Sequence, residues 1–468
     1  MTATLSDSGS DTGLDAGPAP PLARPQAAPR RMSLWTYLRL LRDSSVATYS
    51  DEAFEAEIIQ RKLFWQRAVI LNRPAAIQHV LLDNAANYVK SEIARSLLEP
   101  ALGKGLLTSE GETWRRQRRI MSPAFDPRSV AAYASAIVEI TESLAERWSS
   151  LPPGAVIDVA AEMMRLTLLI VARTMFSTDA QDIVPIVEHA VERYQVEVRP
   201  SLFDLVNLPE WLPRPSKFRR RRIFTELDAV IDRLMRRDAN SAATPKDLLA
   251  RLMSARDAET GLGMSAQEVR DQVVTIFMAG HETTAQALTW TWYLLSLHPA
   301  IERKFHAEID AVLDRHAPRF EDMAKLPYAR MVLDESLRLY PPAHTISRQA
   351  LADDVVTGLP VPRGATVLIV PWLVHRHRTL WDRPEVFDPE RFTPENAAAR
   401  PRFAYLPFGG GPRICIGAGF AMTEALIVLA SVGRRFRLRL VPDQAVEPVG
   451  LITLRPRNGL KMIVERRC

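Results

Sequence analysis

The sequence predicts a mainly α-helical fold with a small β-rich region, built as one large domain. Apolar residues recur at helical spacing from Met32 onward, and one pattern continues for 34 residues. No linker or shift in composition divides the 468 residues, so one domain is predicted, although this length alone allows two or three. Strand-like segments are few and short, near residues 63–71, 365–370, 437–440 and 461–464.

The longest predicted helix runs from Ser265 to His298, where Pro299 ends it. Ser265 and Glu268 have the spacing of a capping box, which marks a helix N-terminus. A helix of this length spans roughly 50 Å at 1.5 Å per residue. Its middle is apolar on most faces, and a helix of that kind is usually buried. We therefore expect it to cross the core.

The N-terminal residues 1–31 predict a disordered tail, and residues 32–468 a folded domain. The tail is rich in Ala, Pro, Ser, Gly and Asp, and it has no apolar run of the length a membrane span or signal peptide needs. Two cysteines argue against a disulfide framework. The net charge of +5 is mild and not clustered as in nucleic-acid-binding proteins. These features predict a cytoplasmic protein without a membrane span or nucleic-acid partner.

Cys415 lies in a glycine-rich loop, Phe408–Gly417, directly before a predicted helix over 418–432. Free N–H groups and the positive end of a helix stabilise a thiolate, so this position suits a metal-ligating sulfur. Gly417 lets the backbone approach a flat ligand closely. The alternative from the loop alone is an ordinary buried cysteine.

The order of Phe, Gly, Arg, Cys and Gly in this loop resembles the haem-binding loop of the cytochrome P450 family. The resemblance covers Met32 to Cys468 and implies haem b as cofactor, a central helix passing over it, and Cys415 as the axial ligand to iron. It also implies that Phe408 packs beside the ligand loop and that Arg413 pairs with a haem propionate. A thiolate ligand favours O–O cleavage.

A second motif lies within the long helix, at Ala279–Thr284. Glycine and paired threonines are poor helix formers, and an acid beside a hydroxyl can relay protons. Glu282 and Thr283 alone would as readily face solvent or make local bonds. The hexapeptide resembles the oxygen-activation motif of the family. That resemblance implies that Glu282 supplies protons, that Thr283 directs them, and that Ala279 and Gly280 line the pocket above iron.

Three charged residues are predicted to support the fold rather than the chemistry. Glu335 and Arg338 lie three apart, on one face of a predicted helix. Taken alone, such a pair would be a solvated surface pair of little energetic value. It resembles the Glu-x-x-Arg pair of the family, and Arg391, in Pro-Glu-Arg-Phe, matches its third member. The resemblance implies a buried charge network beside the haem loop.

Three further residues match propionate-binding positions of the family. Trp114 and Arg118 are four apart on one predicted helix, and arginine binds carboxylates in a bidentate manner. Arg348 follows the Glu-x-x-Arg helix. The alternative for each arginine is a surface charge.

The resemblance implies a monooxygenase that inserts one atom of O2 into an apolar organic substrate, by C–H hydroxylation or epoxidation. The chain has no dinucleotide fingerprint or phosphate-binding loop, so electrons are expected from separate proteins. The resemblance implies that these are a ferredoxin or flavodoxin and a separate NAD(P)H reductase. A peroxide-driven peroxygenase and a haem-thiolate gas or redox sensor are the alternatives. The positions that match pocket walls of the family are Phe277, Ala343, His344, Thr345, Leu451 and Ile452.

Overall fold

A computed structural model describes residues 21–63, 66–176, 248–314 and 316–467, and the single positions 229 and 232. Within these ranges helices dominate, as predicted. The helices are α1 (Leu34–Asp43), α2 (Pro74–Gln78), α3 (Glu92–Leu102), α4 (Gly111–Met121), α5 (Pro127–Ser149), α6 (Val159–Phe176), α7 (Leu248–Ser254), α8 (Ala266–Leu297), α9 (Pro299–Leu313), α10 (Pro327–Leu339), α11 (Pro371–Val374), α12 (Pro394–Ala399) and α13 (Ala418–Arg435).

The described strands are short and form four small sheets. They are β1 (Ile58–Leu63), β2 (Gln66–Leu71), β3 (Tyr88–Val89), β4 (Val156–Asp158), β5 (Ile346–Ala350), β6 (Asp354–Val356), β7 (Leu359–Val361), β8 (Thr366–Ile369), β9 (Phe436–Leu440), β10 (Pro448–Gly450), β11 (Leu454–Pro456) and β12 (Lys461–Arg466). The largest sheet has the order β1-β2-β8-β5-β3, with β2 and β8 parallel. A second sheet has the order β4-β12-β9, and β6-β7 and β10-β11 are hairpins. The predicted strand segments all fall within or beside these strands.

The central helix α8 confirms the longest predicted helix to within one residue at each end. The side chain of Ser265 accepts a hydrogen bond from the N–H of Glu268 at 3.2 Å, and Glu268 accepts one from the N–H of Ser265 at 2.9 Å. Most of its residues are buried, and it packs against α6, α10 and α13. The helix therefore crosses the core, and its surroundings decide what each face contacts.

Helix α13 is longer at its C-terminal end than the sequence predicts. It continues through Gly433 to Arg435 rather than ending at Val432. A Cβ on Gly433 would lie 2.8 Å from the ring of Phe305 and 3.0 Å from Ile309. The glycine is therefore a close-packing position against α9, not a helix terminator.

Part of the predicted disordered tail packs against the core. The N–H of Ala23 donates to the Tyr293 hydroxyl at 3.0 Å, and the Tyr340 hydroxyl donates to the carbonyl of Ala23 at 2.7 Å. The segment predicted as a tail thus contacts the core at Ala23, where two aromatic hydroxyls pair with the backbone. Residues 1–20 lie outside the described part of the chain. No helix of the described ranges has the length and apolarity to cross a membrane.

Candidate functional site

The loop that carries Cys415 is fixed by close backbone packing. The N–H of Cys415 donates to the carbonyl of Phe408 at 2.9 Å, which closes the loop, and Phe408 packs against the main core. Gly411 has a φ of +68°, and a Cβ there would lie 1.7 Å from the carbonyl oxygen of Leu81. Only glycine fits at this position, so the loop cannot shift without moving the segment beneath it.

The thiol of Cys415 lies directly before α13, as the sequence predicts. Burial raises the pKa of the Cys415 thiol, and the N–H of Gly417 and the charge of Arg118 lower it. Arg118 also donates to the carbonyl of Ile414 at 2.7 Å, which ties α4 to the ligand loop. The sulfur is solvent-accessible although protein surrounds it on most sides. It therefore faces a concave surface, with two sources of positive potential beside it.

One face of the central helix is accessible in the middle of the core. Ala279 is exposed, and Gly280 and Thr283 are partly exposed, although both flanking turns are buried. At 100° per residue, positions 279 and 283 share a face, and positions 277 and 281 share the opposite one. The Thr283 hydroxyl donates to the carbonyl of Ala279 at 2.7 Å. Such a pattern is typical of a helix that borders an internal cavity.

The acid of the motif is buried beside this face. Glu282 is 2% exposed, and the Thr453 hydroxyl donates to its Oε1 at 2.6 Å. The next threonine, Thr284, donates to the carbonyl of Gly280 at 3.1 Å. Below it lies a second buried acid, Glu424 of α13, whose pKa burial raises well above the ordinary value, with a smaller opposing effect from the Thr284 hydroxyl. Two carboxyl groups thus flank the threonine pair.

At the other side of the ligand loop, the carboxylate of Glu110 is surrounded by three cations, Lys90, Arg348 and Arg413. Arg413 pairs with Glu110, and its guanidinium lies 4.3 Å from the ring centre of Trp114. Burial, and then the charge of Arg413, lower the pKa of Arg348 to about 10 and that of Lys90 to about 7. These shifts show that like charges are held together away from water. The group has a surplus of positive charge, which suits an anionic ligand.

These features fit haem b. A thiol before a helix N-terminus suits the iron, an accessible strip of small residues suits the flat macrocycle and dioxygen, and buried cations suit the two propionates. Arg413, Trp114 and Arg348, which the resemblance assigns to the propionates, lie close to one another in the cation group. Arg118 lies instead on the side of the ligand loop, where its hydrogen bond goes to a backbone carbonyl.

The predicted pocket residues divide into two groups. Ala343 is exposed, and Thr345, Leu451 and Ile452 are partly exposed. Phe277 has no exposed surface, because it lies on the face of α8 opposite to Ala279 and packs in a separate apolar cluster. His344 is also buried, and its ring bonds to the carbonyl of Leu451 at 3.2 Å. Phe277 and His344 are thus enclosed by protein in this structure, whereas the other four predicted pocket residues have accessible surface.

The predicted charge network is present and fully buried at its centre. Arg338 donates to both oxygens of Glu335, at 2.6 and 2.8 Å. It also donates to the carbonyls of His375 and Pro384, at 2.7 and 2.8 Å. Arg391 approaches Glu335 at 3.4 Å. The network joins α10 to the segments that precede the ligand loop, so it supports the fold there.

Sequence reasoning missed four residues of this site. Lys90 and Glu110 are isolated charges without a pattern, so only their approach to Arg413 shows their role. No sequence motif indicates a role for Thr453 either. Glu424 had a signal, since it is an acid within the apolar run of a helix that follows the predicted ligand.

Comparisons with known proteins agree on one family. The family model described as Cytochrome P450 matches residues 29–462. Cyclooctatin synthase of Streptomyces melanosporofaciens is 39% identical, over 84% of this chain and 85% of its own. Pentalenene oxygenase of Streptomyces avermitilis is 34% identical, over 84% and 87%. The crystal structure of a cytochrome P450DA heme domain superposes with a TM-score of 0.81 and 25% identity, over 96% and 98%. The chain belongs to the cytochrome P450 family of monooxygenases, which use haem b and dioxygen.

Proposed function

We propose that this chain oxygenates a terpenoid hydrocarbon or a similarly apolar compound, with Cys415 as the iron ligand and electrons from separate proteins. The observation that carries the proposal is the pairing of an accessible sulfur at a helix N-terminus with an accessible small-residue strip on the central helix. The strip carries a hydroxyl, and a buried acid stands beside it.

Cys415 is suited to ligate iron because the loop leaves it no freedom to move. Gly411 and the bond to Phe408 fix the backbone, and the Gly417 N–H and Arg118 stabilise negative charge on sulfur. When bound, haem supplies the redox chemistry that activates dioxygen and transfers one of its atoms. The protein supplies the ligand, the pocket and the protons.

Two protons are needed for each dioxygen that is cleaved, and Glu282 and Thr283 are suited to supply them. Thr283 Oγ1 lies at the accessible face. Its hydroxyl donates to the carbonyl of Ala279, so the oxygen can still accept a hydrogen bond from a proton donor. Glu282 lies next to it, in a buried position where bulk water does not compete. The carboxyl group is thus placed to receive protons and to pass them to the hydroxyl, which directs them toward the pocket.

An apolar substrate is supported by the pocket and by the named relatives. Ala343, Leu451 and Ile452 offer accessible apolar surface, and Thr345 adds one hydroxyl. Two relatives are named for terpenoid oxidation, as cyclooctat-9-en-7-ol 5-monooxygenase and pentalenene oxygenase. A polycyclic terpene hydrocarbon is therefore the first substrate class to test.

The proposed electron donors are a ferredoxin or flavodoxin with an NAD(P)H reductase, and the proposed location is the cytoplasm. Low cysteine content supports a reducing compartment. The arginines of α4 are weak candidates for the donor surface, because Arg116 pairs with Glu268 and Arg119 with Asp257. Those charges are largely neutralised within the chain.

The ligand is tested by the carbon monoxide difference spectrum of the dithionite-reduced protein. We expect the far-red-displaced Soret band of a thiolate ligand in the parent and its loss in Cys415→Ser. Thr291→Val is a matched control, because among the described residues that buried hydroxyl bonds to the helix carbonyl of Ala287 and to no other group. The same band in Cys415→Ser and the parent would overturn the assignment.

The oxygenase function is tested by adding pentalenene, a ferredoxin, a reductase and NADPH. We expect a low-spin to high-spin shift on ligand addition and an oxygenated product. Thr283→Ala should divert most of the consumed oxygen to hydrogen peroxide, since a general acid path contributes about 10²-fold or more. A gas or redox sensor would instead show ligand-dependent spectra without product, and equal peroxide yields in both proteins.

A further inference from the structure

The turn between β10 and β11 contacts both the pocket and the acid. Leu451 and Ile452 are partly exposed, while the next residue, Thr453, is 5% exposed and turns inward. Its hydroxyl donates to Oε1 of Glu282 at 2.6 Å. Adjacent residues of one three-residue turn thus serve the ligand surface and the proton source.

The turn is anchored so that it cannot move independently of the central helix. The N–H of Leu451 donates to the carbonyl of Thr453 at 3.1 Å, which closes the turn. The indole N–H of Trp290 donates to the carbonyl of Leu454 at 3.0 Å. Trp290 and Glu282 are both on α8, about two turns apart. The hairpin is therefore docked on this helix at two points, one of them the acid itself.

The segment that carries Pro342, Ala343 and His344 also contacts this turn. The N–H of Leu454 donates to the carbonyl of Pro342 at 3.0 Å. The ring of His344 bonds to the carbonyl of Leu451 at 3.2 Å, next to the exposed Ala343. A ligand that presses on Leu451 or Ile452 thus acts on a segment whose next hydrogen bond is to the acid.

The bond between Thr453 and Glu282 has a large effect on orientation because both groups are buried. A hydrogen bond in the low-dielectric interior of a protein is stronger than one at the surface. Without the hydroxyl, Oε1 would lose a short bond that water does not replace at a site this enclosed. The carboxyl group would then rotate toward another partner, and its distance to Thr283 would change.

We propose that Thr453 is a positioning residue that orients Glu282 for proton delivery and links that orientation to ligand contact at Leu451 and Ile452. This inference rests on the proposed oxygenase function and its relay. Thr453 itself need not touch substrate or cofactor. The chemical step remains a proton relay, in which Thr283 Oγ1 accepts a proton from the Glu282 carboxyl group and releases its own hydroxyl proton into the pocket. Solvent then returns a proton to Glu282.

The experiment compares Thr453→Val, which removes the hydroxyl, with Thr453→Ser, which keeps it. Thr291→Val is the control for losing a buried hydroxyl of similar environment. Each protein is assayed for haem content, the carbon monoxide spectrum, the spin shift with pentalenene, and the partition of consumed oxygen between hydrogen peroxide and other products. The partition is measured with and without pentalenene and in H2O and D2O.

We expect Thr453→Val to keep the parental haem content and spin shift. Its yield of product or water per NADPH should fall by up to about tenfold, as the loss of one buried hydrogen bond allows. The solvent isotope effect should rise, and pentalenene should no longer improve the partition. Thr453→Ser should recover the parental values to within about twofold, and Thr291→Val should match the parent.

This inference would be overturned if Thr453→Val showed the parental partition of consumed oxygen and the parental solvent isotope effect, while Glu282→Gln lowered the yield of product. The relay itself would then stand. Loss of haem or of the spin shift in both Thr453 variants would also overturn it, because the residue would then be structural. Parental behaviour of Glu282→Gln would instead refute the relay in the proposed function. The two failures are thus distinguishable.

Discussion

The cation group around Lys90 makes a specific prediction about porphyrin binding and pH. Lys90 donates from Nζ to the carbonyl of Leu106 at 2.9 Å, and its backbone N–H donates to Glu110 at 2.8 Å. Burial, with the charge of Arg413 next, lowers its pKa from 10.5 to about 7 in the cofactor-free protein. The perturbation is Lys90→Met, which keeps the length of the side chain and removes the charge.

The sign follows from the lowered pKa. Between pH 7 and about 10 the unfolded chain holds the Lys90 proton and the folded chain does not, so stability rises with pH in that window. At pH 7.5 the unfavourable contribution is at most about 4 kcal/mol, from about three units at 1.36 kcal/mol each. Lys90→Met removes this contribution, so it should stabilise the cofactor-free protein below about pH 10. A bound carboxylate raises the pKa, so binding takes up a proton.

The assay uses iron-free protoporphyrin IX, because it has both propionates and does not engage the Cys415 thiol. Parental affinity should fall by up to tenfold per pH unit above pH 7, as one proton is taken up on binding. Lys90→Met should bind about tenfold more weakly at pH 7 and show a flat pH profile. Lys104→Met, at an exposed side chain, should behave as the parent. A flat profile in the parent, or equal profiles in parent and Lys90→Met, would refute the reasoning.

Two further predictions concern stability and cofactor loading. Arg338→Met should lower the free energy of unfolding by about 3–5 kcal/mol, because the buried Glu335 loses its bidentate partner. Arg115→Met, in a pair that is exposed on both sides, should change it by less than about 1 kcal/mol in the same urea titration. Gly411→Ala should abolish the thiolate-type carbon monoxide band, because its Cβ would overlap the backbone of Leu81, whereas Gly419→Ala has open space and should keep the band. Equal effects within either pair would contradict the packing argument.

The sequence predicted features that depend on local order. The capping box of Ser265, the length of α8, and the loop before α13 follow from residues near one another in the chain. The Cys415 loop and the Ala279–Thr284 motif each occupy about ten residues or fewer, so their resemblance to known motifs was legible. Helical periodicity also places Phe277 on the face of the helix opposite to Ala279.

What the sequence did not indicate were contacts between distant segments. The lysine at 90, the carboxylate at 110 and the hydroxyl at 453 have no local signal. Their roles arise because residues beside β3 and α4 meet Arg413, and the β10–β11 turn meets Glu282, at least 171 positions away in the sequence. The packing of residues 21–31 is a similar case, since a composition typical of disorder is ordered by two tyrosine hydroxyls.

By itself, the order of amino acids determined the fold class, the sulfur ligand candidate and the relay motif, because each depends on neighbours within a few helical turns. The tertiary structure alone decided which charges are buried together and which hydroxyl holds the acid. The physical reason is that burial removes water. Without water, hydrogen bonds and contacts between like charges have larger energies, and the tertiary structure decides which groups make them.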